Sequence, residues 1–307
     1  MSRSITSLRP VAVLAGLVAT VALTGCAPQD SAASGDSATL SPSAAAPTTS
    51  ADPCAKDALT LKTAGTLTIA TDKPAFEPWF KNDDPTNGEG FESATAYAVA
   101  KQLGFAETEV KWTVAGFNSV IQPGPKPFDV AVNQFSITDE RKKNVDFSTG
   151  YYDVAQAVVT VKKSKAAGAK TLADLAKLKF GAQVGTTSFK AINDVIKPTT
   201  KVAVFNTNDD AKLALANGQI DAIVVDLPTA LFLSAVGTKD GGLDNGAVVG
   251  QLPAGGGTPE QFGLVLDKDS ALTACVSKAV DALRADGTLK QLETTWLTST
   301  AGAPVLS

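Results

Sequence analysis

Any chemistry this chain performs is done without histidine, because its 307 residues contain none. That removes Ser-His-Asp and Cys-His nucleophilic catalysis, histidine general bases and histidine-ligated metal together. No C-x-x-C, G-x-S-x-G or G-x-x-x-x-G-K-[ST] string occurs, and the run Gly255-Gly256-Gly257 lacks the lysine of a phosphate loop. An enzyme would have to work with carboxylates, lysines and hydroxyls. The polar groups that stand out are Asp72, Gln134, Ser136, Arg141, Gln183, Thr187 and Asp226, with Phe76 and Phe117 among them. Arg141 carries a planar fork of donors that can hold a carboxylate bidentately, which a lysine does less well. Asp72 and Asp226 are acceptors for a cation, and Gln183 can donate and accept.

These residues share a position in the predicted elements. Short apolar runs at 67–71, 112–115, 128–132, 180–184, 202–205 and 222–225 read as strands. A longer β-branched run spans 154–161, and another strand is expected at 262–266. Between them lie helical patterns at 91–103, closed by Gly104, and at 139–144. Further helices are expected from Thr171 to about 178 behind a capping box, from Thr187 to before Pro198, from Asn208 as cap to Gly218, and from Pro228. Helices at 270–285 and 288–297 close the pattern. Alternating strand and helix predicts α/β layers of parallel type. In such sheets ligands sit beyond the carboxyl ends of strands, and that is where the candidate residues fall.

The first residues carry Arg3 and Arg9 without an acid, followed by an apolar stretch at 11–23 that is short for a bilayer span. The string Leu23-Thr24-Gly25-Cys26 resembles the lipobox of bacterial lipoproteins, in which the cysteine sulfur is lipidated and the chain is cut before it. Residues 1–25 are therefore expected to be a signal peptide. Residues 26–53, rich in Ser, Ala, Thr and Pro, read as a lipidated flexible tether, because such a segment cannot bury enough surface to order itself. Cys54 and Cys275 remain as an even pair in an exported chain; a disulfide is the natural reading and two buried thiols the other. Of 27 basic side chains, losing Arg3 and Arg9 leaves 25 against 31 acidic, a net charge of −6. No basic cluster with interleaved aromatics suggests nucleic acid. The roughly 250 residues after the tether suffice for one large domain or two small ones.

Taken in order, the strand ends carry Asp72 with Phe76-Glu77-Pro78-Trp79, then Gly116-Phe117-Asn118, then Asn133-Gln134-Phe135-Ser136-Ile137-Thr138-Asp139-Glu140-Arg141. After these come Val145-Asp146-Phe147-Ser148 with Tyr151, Gly185-Thr186-Thr187-Ser188, and Asp226. The ordered set, above all 136–151, resembles the family-3 extracellular solute-binding proteins of ABC importers, the polar amino acid binders, over about 65–297. The resemblance implies a two-lobed α/β fold of the periplasmic-binding-protein type II class, with ligand clamped between lobes. Lobe one would be 58–153 plus 261–297 and lobe two 163–248, with hinge segments at 154–162 and 249–260. The glycine run 255–257 suits a segment that must tolerate rotation.

A free amino acid presents a carboxylate and an ammonium on one carbon, and burying both requires a partner for each. By resemblance Arg141 holds the α-carboxylate, helped by backbone amides at Ser136 and Thr187, and Asp226 takes the α-ammonium with the Ser136 hydroxyl and Gln134 carbonyl. Phe76 and Phe117 would wall the ligand side chain, with Asp72 and Gln183 at its far end. That arrangement favours glutamine or asparagine, then basic amino acids. Each residue has a plainer reading: Arg141 on a solvated charged face, Asp226 as a helix cap, Phe76 and Phe117 as core, Asp72 as a turn residue. The expected molecule is a monomer with no metal or cofactor, lipid-anchored through Cys26 on the extracytoplasmic face of the cell membrane. Its partners would be an amino acid and the ABC permease subunits. The alternatives are a cleft enzyme of the same fold, similar to cyclohexadienyl dehydratases, with Glu77 as the extra carboxylate placed near the cleft, or a ligand-sensing adaptor.

Overall fold

The computed structural model describes residues 52–254, 259–297 and 303–307. The expectations for the signal segment, Cys26, nearly all of the tether and the glycine run at 255–257 lie outside those residues.

The first sheet grows around β1 (Leu67–Thr71), whose side chains are almost all buried because both faces are covered. β2 (Val110–Val114) and β3 (Val130–Ala131) flank it in parallel, in the register Leu67↔Val110 and Ile69↔Val130. β12 (Val265–Asp267) then runs antiparallel between β3 and β4 (Val145–Phe147). On one face α1 (Phe91–Gln102) and α7 (Thr273–Ala285) pack Phe91, Val99, Val276 and Val280 against Leu67 and Ile69. The last helix, α8 (Thr288–Trp296), adds Leu289 to that core. On the other face lies the short α2 (Phe117–Ile121), with Phe117, Val120 and Ile121 against Phe128 and Phe135. The Asp129 carboxylate accepts the backbone N–H of Lys62 and of Thr68, both at 2.7 Å, and so fixes β3 beside the entry to β1.

The second sheet is ordered β10-β6-β9-β7-β8. Its centre is β6 (Gln156–Val161), buried along nearly its whole length, between β10 (Gly246–Gln251) and β9 (Ala222–Asp226), both antiparallel to it. β7 (Phe180–Gln183) joins β9 and the edge strand β8 (Ala203–Phe205) in parallel. α3 (Leu172–Leu175), α4 (Thr187–Ala191), α5 (Asn208–Ala216) and α6 (Leu227–Ala235) surround it, and both faces carry a core. The sheets are mixed rather than wholly parallel, since the strands returning from the other lobe enter antiparallel.

A two-stranded antiparallel ribbon of β5 (Tyr152–Val154) and β11 (Glu260–Phe262) carries the chain between the sheets, in the register Glu260↔Val154 and Phe262↔Tyr152. Residues 154–162, expected as a hinge, are therefore mostly strand of the second sheet, and 249–251 belong to β10. Residues 303–307 also lie on the second sheet. The Leu306 amide donates to the Gln251 carbonyl at 2.9 Å, and its side chain is buried beside Leu252 and Leu175. Cys54 and Cys275 are joined by a disulfide, Cα to Cα 5.3 Å, tying the start of the described chain to α7.

Several local expectations change. The strand expected at 262–266 is split, Phe262 ending β11 and Val265 opening β12, and α3 stops at Leu175 rather than about 178. Thr207, not Asn208, caps α5, its hydroxyl accepting the Asp210 N–H at 3.1 Å. The charged helix expected at 139–144 is a single 3-10 turn, Arg141–Lys143. Among the described residues no helix is long and apolar enough to cross a membrane, and no group of acids and cysteines is placed to hold a metal.

Candidate functional site

A cleft of about 690 Å3, mouth included, opens between the two sheets beyond the carboxyl ends of β1, β3, β7 and β9. From the first lobe it receives Asp72 and Phe76 after β1, Phe117 from the first turn of α2, and Gln134, Ser136 and Arg141 after β3. From the second it receives Gln183 at the end of β7, Thr187 at the start of α4 and Asp226 at the end of β9. The nine candidate residues thus line one space.

Arg141 is buried to 7 % exposure, and its ordered donors go to carbonyls rather than to a carboxylate. Nη1 donates to the Ser136 carbonyl at 2.7 Å and Nη2 to the Gly185 carbonyl at 2.9 Å. A guanidinium has five N–H groups, so three have no partner among the described residues. Burial pulls its pKa down to about 10, against the opposing pull of Glu260 and Glu140, so it stays charged at neutral pH. Its guanidinium also lies 5.3 Å from the centre of the Phe117 ring, which stacks on Phe135 at 4.9 Å.

Asp226 does cap α6, as the plainer reading held, while also lining the cleft. One oxygen accepts the Thr229 N–H and the other the Thr229 hydroxyl, both at 2.9 Å. Desolvation pushes its carboxyl up to about 6, with the Glu260 charge adding to the effect. The Thr229 hydroxyl in turn accepts the Trp79 indole N–H at 2.8 Å, a bond from the first lobe to the second. Asp72 likewise has a structural duty: its two oxygens accept the N–H of Lys73 at 2.7 Å and of Phe117 at 3.0 Å. The second of these caps α2, so Asp72 positions the Phe117 wall and keeps lone pairs toward the cleft.

The lobes meet across this space. The Ser136 and Thr187 hydroxyls lie 3.1 Å apart, and Arg141 reaches Gly185. Gly185 adopts φ +76°, and a Cβ there would come within 2.5 Å of Asn118 Oδ1 on the opposite lobe. The backbone conformation favours glycine here, and a side chain would in addition push the Asn118 amide aside.

Sequence reasoning missed several groups. Gln156 and Glu260, from the crossing region, join Thr187 and Ser188. The Thr187 hydroxyl donates to Glu260 at 2.5 Å, Gln156 Nε2 donates to Glu260 at 3.1 Å, and the Ser188 hydroxyl donates to Gln156 at 2.7 Å. Glu92 sits behind Gln134. Glu77 is therefore not the only extra carboxylate near the cleft. Nothing in the string around Glu260 marks it, because its place follows from the pairing of β5 with β11. Trp79 was quoted with its neighbours, but its bond to the second lobe depends on lobe packing.

Two α/β lobes joined by a strand ribbon, with a cation from one and an anion from the other facing a shared cleft, define a two-lobed small-solute-binding protein. Comparison with known proteins gives the family. Residues 67–299 match the bacterial extracellular solute-binding proteins, family 3, and the chain belongs to that family. It is 29% identical over 253 residues to the L-arginine-binding protein of Pseudomonas aeruginosa, covering 77% of this chain and 92% of that protein. It is 30% identical over 241 residues to an L-cystine-binding protein of Escherichia coli strain K12, covering 77% and 84%. Among solved structures, an ancestral arginine-binding protein bound to arginine superposes with a TM-score of 0.61 at 31% identity, covering 76% of this chain and 98% of that one.

Proposed function

We propose that this protein captures a polar amino acid between its lobes and delivers it to the permease of an ABC importer. The observation that carries the reading is the pairing of Arg141 and Asp226 across one cleft, three guanidinium N–H groups being left over on the first. The α-carboxylate lies on Arg141 with the amides of Ser136 and Thr187; the α-ammonium lies on Asp226 with the Ser136 hydroxyl and Gln134 carbonyl. Each anchor belongs to a different lobe, so ligand favours the form in which the lobes meet. Residues 58–153 with 261–297 and residues 163–248 act as the two lobes, moving about the β5–β11 ribbon.

The ligand side chain runs between Phe76 and Phe117 toward Asp72 and Gln183. An amide end satisfies both and a cationic end satisfies Asp72, so glutamine or asparagine ranks first and basic amino acids next. Names among the relatives support this breadth, since one ancestral arginine-binding protein is solved with glutamine bound. Lys73, at the cleft margin, is drawn toward Asp83 at 3.3 Å, so it does not offset Asp72 for an acidic ligand.

A thermal-shift screen of the common amino acids tests the claim. A true ligand at a hundredfold excess over its Kd adds about 2.7 kcal/mol of stability. Arg141→Ala and Asp226→Ala should each weaken binding by roughly 2–5 kcal/mol, because each leaves a ligand charge buried and unpaired. Binding within tenfold of wild type in both variants would place the site elsewhere. The same reading makes the protein an exported monomer held to the extracytoplasmic membrane face by lipid on Cys26, supported by the string Leu23-Thr24-Gly25-Cys26. Cys26→Ala should move it from the membrane to the soluble fraction; unchanged membrane retention would exclude the anchor.

A further inference from the structure

Behind the ammonium side of the cleft lies a carboxylate that the binding scheme does not use. Glu92, in the first turn of α1, is fully buried. One of its oxygens accepts the Gln134 backbone N–H at 2.6 Å and the Tyr151 hydroxyl, and the other accepts the Gln134 side-chain amide. Gln134 is thus gripped by main chain and side chain together, and it is held at φ +46°, a left-handed conformation uncommon for a residue with a Cβ. All three donors to Glu92 are neutral, so a buried negative charge is hydrogen-bonded but not neutralised. Two residues on from Gln134 stands Ser136, whose carbonyl orients Arg141.

We propose that Glu92 is a positioning residue of the ammonium subsite, which fixes Gln134 at the cleft floor and couples its own charge to the cation received by Asp226. The inference rests on the amino-acid reading above. The groups facing Glu92 are few. Gln134 is neutral, the Tyr151 phenol is kept protonated by burial and by Glu92 itself, and Asp226 acts from the end of β9. Burial pushes the Glu92 carboxyl up to about 7, its three hydrogen bonds pull it down, and the Asp226 charge raises it further. Asp226 is therefore within electrostatic reach. A ligand ammonium placed on Asp226 cancels that influence and favours ionised Glu92, so binding draws off part of the proton that Glu92 carries in the free protein.

The experiment is isothermal calorimetry with the amino acid that stabilises wild type most, in buffers of different ionisation enthalpy, from pH 5.5 to 8.5. With a carboxyl titrating near 7, wild type should release up to about half a proton at pH 7 on binding, and its affinity should rise up to about tenfold from pH 6 to 8. Glu92→Gln keeps every hydrogen bond if the Gln134 amide turns over, but cannot ionise. It should lose most of the proton release at pH 7, the smaller remainder coming from Asp226, bind up to about tenfold more weakly at pH 8 and approach wild type near pH 5.5. Tyr151→Phe removes a bond that lowers the Glu92 pKa and should move the proton release to higher pH. Weaker binding by Glu92→Gln with proton release intact would mean a purely structural role and overturn the proposal, as would unchanged affinity at every pH. If no amino acid binds wild type, the amino-acid reading itself falls and this inference falls with it.

Discussion

Arg141 and Glu92 show how the site trades stability for readiness. Arg141 is a buried charge hydrogen-bonded only to carbonyls among the described residues, and Glu92 a buried carboxyl hydrogen-bonded only to neutral donors there, arrangements that make ionisation costly until an opposite charge arrives. The cost has a sign in pH. Folded Glu92 keeps its proton up to about 7, whereas its ordinary value is 4.5, so across that window the folded protein holds more protons than the unfolded chain. Stability in the absence of ligand then falls as pH rises through it. A shift of this size corresponds to about 3 kcal/mol. Asp226, raised to about 6, contributes in the same direction at lower pH. Urea unfolding of the ligand-free protein at pH 5 and pH 8 should show wild type losing more stability than Glu92→Gln between the two, by roughly that amount. Parallel pH profiles for the two proteins would mean that Glu92 is ionised in the fold at no cost.

The elements that were plain in the sequence are those whose burial is set locally. β1 reads as a strand because LTIAT is apolar between polar flanks, and it folds as one at 67–71. α3 is announced by its capping box, and the structure closes it, Thr171 and Asp174 exchanging bonds at 3.2 Å. The candidate cleft was legible for the same reason, since strand ends can be located before strands are paired. Pairing itself was not legible. That the β-branched run at 154–161 becomes the central strand of the second sheet depends on β9 and β10, which lie more than sixty residues away in sequence. The bulge of wider helical turn at Ile192–Ile196, which follows α4 directly, has no proline or glycine inside it to reveal it. Glu92 looked like any acid in the first turn of a helix, where such a charge is usually solvated and favoured by the dipole. Only the approach of Gln134 and Tyr151 from other elements turns it into a buried acceptor.

At the scale of the whole molecule, the described chain begins at the edge of the first lobe and depends on a covalent tie there. Cys54 is bonded to Cys275 across 221 residues of sequence. Cys275 is buried in α7, and the segment after Cys54 lays Leu59 and Leu61 on the same core. The bridge lies on the first-lobe helix layer, whereas the cleft is built at the strand ends, so the two duties are separable. Closing so long a loop in the unfolded chain is worth up to about 5 kcal/mol in the chain-entropy account, and real bridges often give less. The double variant Cys54→Ala, Cys275→Ala should therefore unfold at clearly lower urea concentration, by about 2–5 kcal/mol. Its affinity for the amino acid should remain within about twofold, because neither cysteine lines the cleft and distant sites act independently. Calorimetry on the folded variant, with urea titration beside it, reads both quantities. A tenfold loss of affinity would show that the tie shapes the cleft through α7, and a stability loss below about 1 kcal/mol would show that the unfolded chain is already held compact near these residues.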